Sequence, residues 1–434
     1  ATLFFISIFG IVVKQHEAVF ETAELAFSCA AFFGCCWALT RPYWGSALAG
    51  FACGASILCS NLLFGATVLV GCLMSHILVR GIGDTSRKIF TTIAVAFVTF
   101  GLWPLVSYLL AGVVAGDYFN LWAQRQIQIV GFFDPQEILW FIKHFIWYLC
   151  PVWPFAFWAI WMWRKNLTVT HIALPLSFCF AWFVGFMLSS DVAAETLLSV
   201  TIAPLCVLAT FGLMACNRST KSMLELFSVA VFTLALAGVW AYFIAWTLGF
   251  PPKMHWSILR LTADESVSHA HWVAVVLAAA LLAFWLYLCV RRLMRRPIRF
   301  WTGPWLSASG ITVLWISAVC LFGPVIDSNR TFANIAREMT QELKTMHFVS
   351  GTDCVLAQTL PLSERAAIEW HSGVTLTASE AASCRFIISH VSAKRQAKNP
   401  TKAPGFVVLK SFRPRSDTRY LLGPAGPVLI EKQF

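Results

Sequence analysis

Few acidic residues in this chain could take part in chemistry, and three of them stand together beside an apolar run. Glu17, Glu21 and Glu24 follow one another at i, i+4 and i+7, so they share one face of a helix. Carboxylates beside an apolar helix are costly to bury and usually face a cavity or a partner. This cluster is a candidate contact for a sugar or a metal ion. The alternative is an interfacial helix cap whose acids are solvated.

A second candidate segment runs over residues 117–137, where mixed charges alternate with aromatic residues. This pattern predicts an amphipathic helix that lies along a membrane interface. Asp117 and Arg125 are its candidate polar contacts, and Arg125 has the charge to pair with a lipid phosphate. The alternative for Arg125 is an unspecific contact of its long side chain with lipid headgroups.

Two further segments hold polar residues between apolar runs. Asp191 and Glu195 belong to a short acidic loop. The alternative to a functional role is that this loop only marks the side of the membrane opposite to the basic loops. Residues 251–271 include His269 and His271, whose i, i+2 spacing does not share a helix face and so disfavours a metal site. The sequence has no Walker motif, GxSxG elbow, HExxH motif or dinucleotide fingerprint, so its chemistry rests on these polar segments.

The elements that must position these residues are membrane-spanning helices. A hydrophobic fraction of 58%, a charged fraction of 12% and a mean hydropathy of +0.71 exclude a soluble globule. Eleven apolar stretches predict crossings at 1–13, 19–39, 45–58, 62–79, 89–110, 138–162, 169–188, 196–216, 225–248, 271–290 and 303–323. The third and fourth are short, and the alternative for them is one kinked or re-entrant unit.

The net charge of +11 has an uneven distribution along the chain. Basic residues fill alternate loops: Arg41; Arg80, Arg87 and Lys88; Arg164 and Lys165; Arg218 and Lys221; and the arginines from Arg291 to Arg299. By the positive-inside rule, these loops face the cytoplasm and the acidic loops face outward. The charge is therefore an orientation signal, and nucleic acid is not an expected partner.

The polar C-terminal part predicts a small α/β domain outside the cytoplasm, over residues 327–434, after a helical membrane domain over 1–326. Its predicted helices cover 331–346 and 363–370, the second capped by Ser363. Strands are expected at 354–358, 385–391, 406–409, 420–422 and 428–430, with a mobile loop over 394–404. Cys354 and Cys384 are the two cysteines of this domain, and an oxidising compartment favours a disulfide between them over two buried thiols.

Several segments, in order along nearly the whole chain, resemble those of a known family. They are Ala49 to Ala55, Pro151 to Phe155, Glu195 to Leu208, Val325 to Arg330, Leu362 to Ala366 and Arg413-Pro414. This order is similar to that of bacterial GT-C glycosyltransferases, in the branch of the lipid A aminoarabinose transferase and the protein O-mannosyltransferases.

The resemblance implies a polytopic all-α membrane protein of the inner membrane, with its small α/β domain in the periplasm. The eleven predicted crossings and a pair upstream of Ala1 make about 13 spans. The catalytic carboxylate is then expected upstream of Ala1. Such enzymes transfer a sugar, with inversion, from a polyprenyl phosphate to a lipid or glycan acceptor. A basic residue or a divalent metal balances the charge of the leaving phosphate.

The chain departs from the family at positions that carry charge. Where the family usually has Lys-Gly after the first of these segments, this chain has Cys59-Ser60-Asn61. Where the aminoarabinose transferase carries a metal-binding His, this chain has the stretch from Arg125 to Gln128, which contains no His. These changes leave open a non-catalytic relative that binds polyprenyl lipid, and a lipid-linked sugar transporter is a further alternative. The candidate contacts for substrate or lipid phosphate are Glu17, Glu21, Asn61, Asp117, Arg125, Asp191 and Glu195.

Overall fold

A computed structural model describes most of the chain. The described residues are 1–14, 20–79, 81–131, 138–189, 196–259, 270–294, 300–349, 353–357, 359–377, 384–392, 409–415 and 418–424. They divide into two compact units, of which one holds residues 1–233 and 285–315, and the other holds residues 234–284 and 316–434.

Helices make up nearly all of the chain before the C-terminal domain. They are α1 (Thr2–Ser7), α2 (Phe9–Lys14), α3 (Phe20–Trp37), α4 (Pro42–Cys59), α5 (Leu62–Leu78), α6 (Thr85–Ala111), α7 (Val113–Ile129), α8 (Ile138–Tyr148), α9 (Val152–Met162), α10 (Thr170–Met187), α11 (Ser199–Ala215), α12 (Arg218–Leu248), α13 (Pro252–Leu259), α14 (Trp272–Met294) and α15 (Thr302–Arg330). The apolar runs of the sequence therefore form helices, as predicted.

Six of the described helical segments are long and apolar enough to cross a membrane, or seven if one bent pair is a single span. The chain is thus a multi-pass membrane protein, while eleven crossings remain a prediction. The predicted crossing over 138–162 is bent, because α8 and α9 meet at 95° around residues 149–151. The short third and fourth crossings are two separate helices, α4 and α5, joined at Ser60 and Asn61.

The first unit packs several helices through small residues. A Cβ atom on Gly45 of α4 would collide with the backbone of Ala38, and one on Gly34 of α3 would collide with that of Ala49. Such close contact between backbones is typical of helix pairs in membranes, where packing replaces the hydrophobic effect. Farther along the chain, the buried Ser228 of α12 and Ser307 of α15 share a hydrogen bond of 2.6 Å.

The C-terminal domain lies in the second unit and combines two helices with a mixed sheet. The helices are α16 (Ala333–Thr345) and α17 (Leu362–Ser372), and the strands are β1 (Val355–Leu356), β2 (Leu376–Thr377), β3 (Phe386–Ser392), β4 (Lys410–Arg415) and β5 (Thr418–Pro424). The sheet order is β2-β1-β3-β5-β4, in which β1 runs parallel to both neighbours and the other pairs are antiparallel. Apolar residues of α16 and α17 cover the sheet, among them Met339 and Ile368.

The α/β character of this domain is confirmed, and its disulfide is present. Cys354 and Cys384 are bonded, with their Cα atoms 4.8 Å apart, and the bond joins the starts of β1 and β3. The predicted cap at Ser363 is wrong, because α17 begins at Leu362 and Pro361 occupies the cap position. Strands β2 and β4 were not predicted. The strands expected at 406–409 and 428–430 lie mostly or wholly outside the described residues, as does the 394–404 loop.

Candidate functional site at one end of the helical bundle

The start of α3 carries two of the predicted acids into the protein. Glu24 is fully buried and Glu21 is half-buried, one turn apart on α3. The hypothesis of solvated acids is therefore wrong for Glu24. Farther along this face, the Ser28 hydroxyl donates to the backbone oxygen of Ser199 at 3.2 Å, which fixes α3 against the start of α11. Glu17 lies outside the described residues.

The junction of α4 and α5 places Asn61 at the start of α5. Its side-chain oxygen accepts a hydrogen bond of 2.8 Å from the backbone N–H of Phe64, and its amide nitrogen donates to the Ser60 hydroxyl at 2.8 Å. This is an N-cap, the usual role of Asn before a helix. The start of α5 also carries a partial positive charge, which favours a nearby anion. Asn61 therefore stabilises a helix end that suits a phosphate.

The segment over 117–137 that was predicted to be an amphipathic helix forms the larger part of α7, which ends at Ile129. It folds back on α6, where the rings of Trp103 and Phe119 lie 5.0 Å apart. Arg125 is exposed on α7, and the next residue, Gln126, accepts a hydrogen bond of 2.8 Å from the backbone N–H of Leu62. Arg125 is thus held near the start of α5. Asp117 lies eight residues earlier on the same helix.

The chain after α7 meets the end of α10. Val130 pairs with Ser189 in an antiparallel bridge, and the N–H of Gly131 donates to the oxygen of Leu188 at 3.0 Å. This contact lies just before the loop that holds Asp191 and Glu195, which are outside the described residues. The end of the second polar segment therefore contacts the end of α10, the helix that precedes the third segment in the sequence.

These contacts bring the described parts of the first two polar segments, and the helix ends that flank the third, to one end of the first unit. We call this the polar end: the start of α3, the α4–α5 junction, the end of α7, the end of α10 and the start of α11. Gln126 was not predicted as a site residue, and the one feature of the sequence that pointed to it was its position beside Arg125. The hydrogen bond between Ser28 and Ser199, which are 171 residues apart in the sequence, was not predicted either.

The fourth segment belongs to the second unit, where α13 covers Pro252–Leu259 and His269 lies outside the described residues. His271 accepts a hydrogen bond from the N–H of Val273 at 3.3 Å. Across the part of the chain that the structure describes, no three His, Cys, Asp or Glu side chains come together as a metal site.

A crystal structure of ArnT from Cupriavidus metallidurans bound to undecaprenyl phosphate is similar to this chain, with a TM-score of 0.58 over 97% of this chain and 77% of that one. The chain has an ArnT-like fold. Sequence identity is 16%, so the likeness concerns the fold. An apo structure of the same protein has a TM-score of 0.46 at 16% identity, over 93% of this chain and 83% of that one. No family model matches the sequence, and neither does any curated protein.

ArnT is a lipid A aminoarabinose transferase of the GT-C class, so the fold expected from the sequence resemblance is confirmed. Glu21, Asn61 and Arg125 are candidates that the structure places at the polar end, and the backbone of Asp117 lies in the helix that reaches it.

Proposed function

We propose that this protein is an inner-membrane glycosyltransferase that moves a sugar from polyprenyl phosphate to a lipid or glycan acceptor on the periplasmic side. The observation that carries this proposal is the ArnT-like fold over 97% of the chain. The polar end supports it, since the fold gathers acids, a helix start and an exposed arginine there.

The reaction needs a base, a site for the phosphate and a route for the acceptor. The acceptor oxygen bonds to the anomeric carbon from the face opposite the phosphate, so the configuration inverts. The bond from that carbon to the phosphate oxygen breaks, and the electron pair leaves with the polyprenyl phosphate. The acceptor proton passes to a carboxylate. The resemblance implies that this carboxylate lies upstream of Ala1. Among the described acids of the polar end, the half-buried Glu21 is proposed to contact and orient the acceptor, whereas Glu24 is fully buried.

The leaving phosphate is negatively charged, and its departure is easier where positive charge faces it. Arg125 and the start of α5 supply such charge, because Gln126 holds α7 against Leu62. Glu17, Asp117, Asp191 and Glu195 belong to the same segments and are proposed as contacts for the sugar and acceptor.

Binding of the lipid phosphate is tested by thermal unfolding of the full chain in nanodiscs with undecaprenyl phosphate or with undecaprenol. Undecaprenyl phosphate is expected to raise the Tm and undecaprenol is not, because the phosphate is the recognised group. Arg125→Gln is expected to lose most of this rise. Arg291→Gln is the matched control, because Arg291 is an exposed arginine on another helix. An equal Tm with both lipids contradicts the proposal.

Transfer is tested separately, with undecaprenyl phosphate that carries a radiolabelled sugar and with a membrane lipid extract as acceptor. A transferase releases free undecaprenyl phosphate and labels the extract, and Glu21→Gln is expected to slow this release. The presence of Cys59-Ser60-Asn61 where the family has Lys-Gly favours a second candidate, a non-catalytic binder of polyprenyl lipid. That protein would show the Tm rise without any release of undecaprenyl phosphate.

A further inference from the structure

The other end of α4 carries a concentration of positive charge that the proposed transferase does not use. Helix α4 has 18 residues, so its start lies about 27 Å from the polar end. Arg41, Arg87 and Lys88 fall in this region, and Asp84 is the only acid in the sequence between Glu24 and Asp117. Asp84 caps α6 by accepting from the N–H of Ser86, and it lies 3.9 Å from Arg87.

Two helix starts meet at this end. Helix α4 begins at Pro42 and α6 begins at Thr85, and a Cβ atom on Gly83 would collide with the ring of Pro42. Gly83 has a φ of +88°, which other residues rarely adopt, so glycine permits this close approach. The first N–H groups of both helices add positive potential to the same place, which favours an anion there.

Lys88 lies in this potential and is almost completely enclosed by protein. It is 2% exposed, in the first turn of α6. Within the part of the chain that the structure describes, its ammonium group has neither a hydrogen-bond acceptor nor a carboxylate within ion-pair distance. A lysine near a helix end normally extends its charge into water. A lysine side chain that is this deeply buried and lacks a negative partner is unusual, and a bound anion supplies that partner.

Polar groups next to Lys88 are buried as well. Nε2 of His76 lies 3.2 Å from the Thr92 hydroxyl, and that hydroxyl is 3.3 Å from the backbone oxygen of Ser46. Thr92 is one turn beyond Lys88 on α6, so these residues lie between α4, α5 and α6. The hydroxyl of Ser46 is fully buried and has no hydrogen-bond partner. A buried hydroxyl without a partner is uncommon, and it has a donor to offer to a ligand.

We propose that Lys88, Ser46, His76 and Thr92, which we call the Lys88 cluster, bind a phosphate group at the cytoplasmic end of α4 and α6. A phosphate supplies the negative charge that Lys88 lacks and acceptor oxygens for Ser46 and the helix N–H groups. Its sources are an anionic phospholipid of the inner leaflet or free phosphate. Basic pockets between helices at the cytoplasmic surface bind anionic headgroups in other membrane proteins.

The test measures thermal unfolding of the full chain in phosphatidylcholine nanodiscs and in nanodiscs where phosphatidylglycerol replaces part of that lipid. For the unmodified protein, phosphatidylglycerol is expected to raise the Tm by about 3 °C, since a ligand that binds only the folded state stabilises it. Lys88→Met is expected to lose most of this rise. Lys165→Met is the matched control, since Lys165 is exposed in another basic loop, and it is expected to retain the rise.

A second arm adds inorganic phosphate to the phosphatidylcholine nanodiscs, against chloride at equal ionic strength. A Lys88-dependent rise with phosphate assigns the cluster to free phosphate, and one with phosphatidylglycerol alone assigns it to a lipid headgroup. The proposal fails if neither raises the Tm, or if Lys88→Met keeps the whole rise. If Lys88→Met does not fold, Ser46→Ala is measured in the same way, and an undiminished rise in that variant contradicts the proposal. Undecaprenyl phosphate is absent throughout, so the result is independent of the proposed transferase.

Discussion

Gln126 contributes to the polar end by joining two helices, without any charge of its own. Its side-chain oxygen accepts from the N–H of Leu62 at the start of α5, where a helix has no internal partner for that group. Gln126→Leu removes the acceptor and is expected to cost about 1 kcal/mol of local stability, a fivefold change in exchange rate. Hydrogen exchange of the Leu62 amide measures it. Gln124→Leu changes an exposed glutamine on the same helix and serves as the control.

Faster exchange at Leu62 in Gln126→Leu alone confirms the contact. Equal exchange rates in both variants would show that α7 is held by its aromatic contacts with α6. In the first case, we also expect weaker binding of undecaprenyl phosphate, because Arg125 loses its fixed position.

Arg292 and Glu225 form an ion pair inside the first unit, between α14 and α12. Nε of Arg292 donates to Oε2 of Glu225 at 2.8 Å, and a second guanidinium nitrogen contacts the same oxygen. The side chains are 19% and 5% exposed. Arg292→Met leaves an enclosed carboxylate without this partner and is expected to destabilise the protein by about 3 kcal/mol, measured by chemical unfolding in detergent.

Arg291→Met is the control for this pair, because Arg291 is the preceding residue and is exposed. The double variant Glu225→Met with Arg292→Met is expected to recover most of the lost stability, since it leaves no charge behind. If Arg292→Met is as stable as Arg291→Met, solvent or lipid compensates the charge of the Glu225 carboxylate.

At the scale of elements, the disulfide joins the starts of β1 and β3, whose two cysteines are 30 residues apart in sequence. In the chain-entropy model, closing such a loop stabilises the fold by about 3 to 4 kcal/mol. Cys354→Ser with Cys384→Ser is therefore expected to lower the Tm of the domain. The bond itself is measured by maleimide labelling of denatured protein, followed by mass spectrometry.

The chain has 14 cysteines, of which 12 are free. Unreduced protein should therefore take up 12 maleimide groups, and reduced protein should take up 14. Uptake of 14 groups without reductant would show that the two thiols are free and that the compartment is reducing.

The elements that the sequence predicted are those with a strong local signal. Apolar runs marked the helices, and the buried face of α16 follows from the spacing of Ile335, Met339 and Leu343. Short elements were harder, since β2 has two residues and its partner strand lies 21 positions earlier in the sequence. The bend between α8 and α9 was also missed, because the residues on both sides of it are strongly apolar and read as one continuous run.

At the scale of the whole molecule, the fold class and the location of polar segments followed from the sequence, while the site itself did not. The polar end depends on pairs such as Gln126 with Leu62, 64 residues apart, and Ser28 with Ser199. No periodicity records such contacts, because they depend on how helices pack. The Lys88 cluster was hidden for the same reason, since the sequence places Lys88 in an ordinary basic loop.

The orientation of the molecule is a prediction from charge, and it decides where both proposed sites face. Basic loops alternate with acidic ones along the chain, so the C-terminal domain should be periplasmic and the loop at Arg164 and Lys165 cytoplasmic. Alkaline phosphatase fused after Phe434 should be active, because it folds only in an oxidising compartment. The same reporter inserted after Lys165 should be inactive, and a fluorescent protein should give the reverse pattern. An inactive fusion at Phe434 together with an active one at Lys165 would show that the orientation is the reverse of the predicted one. The Lys88 cluster would then face the periplasm, and the polar end would face the cytoplasm, where a periplasmic transferase cannot use it.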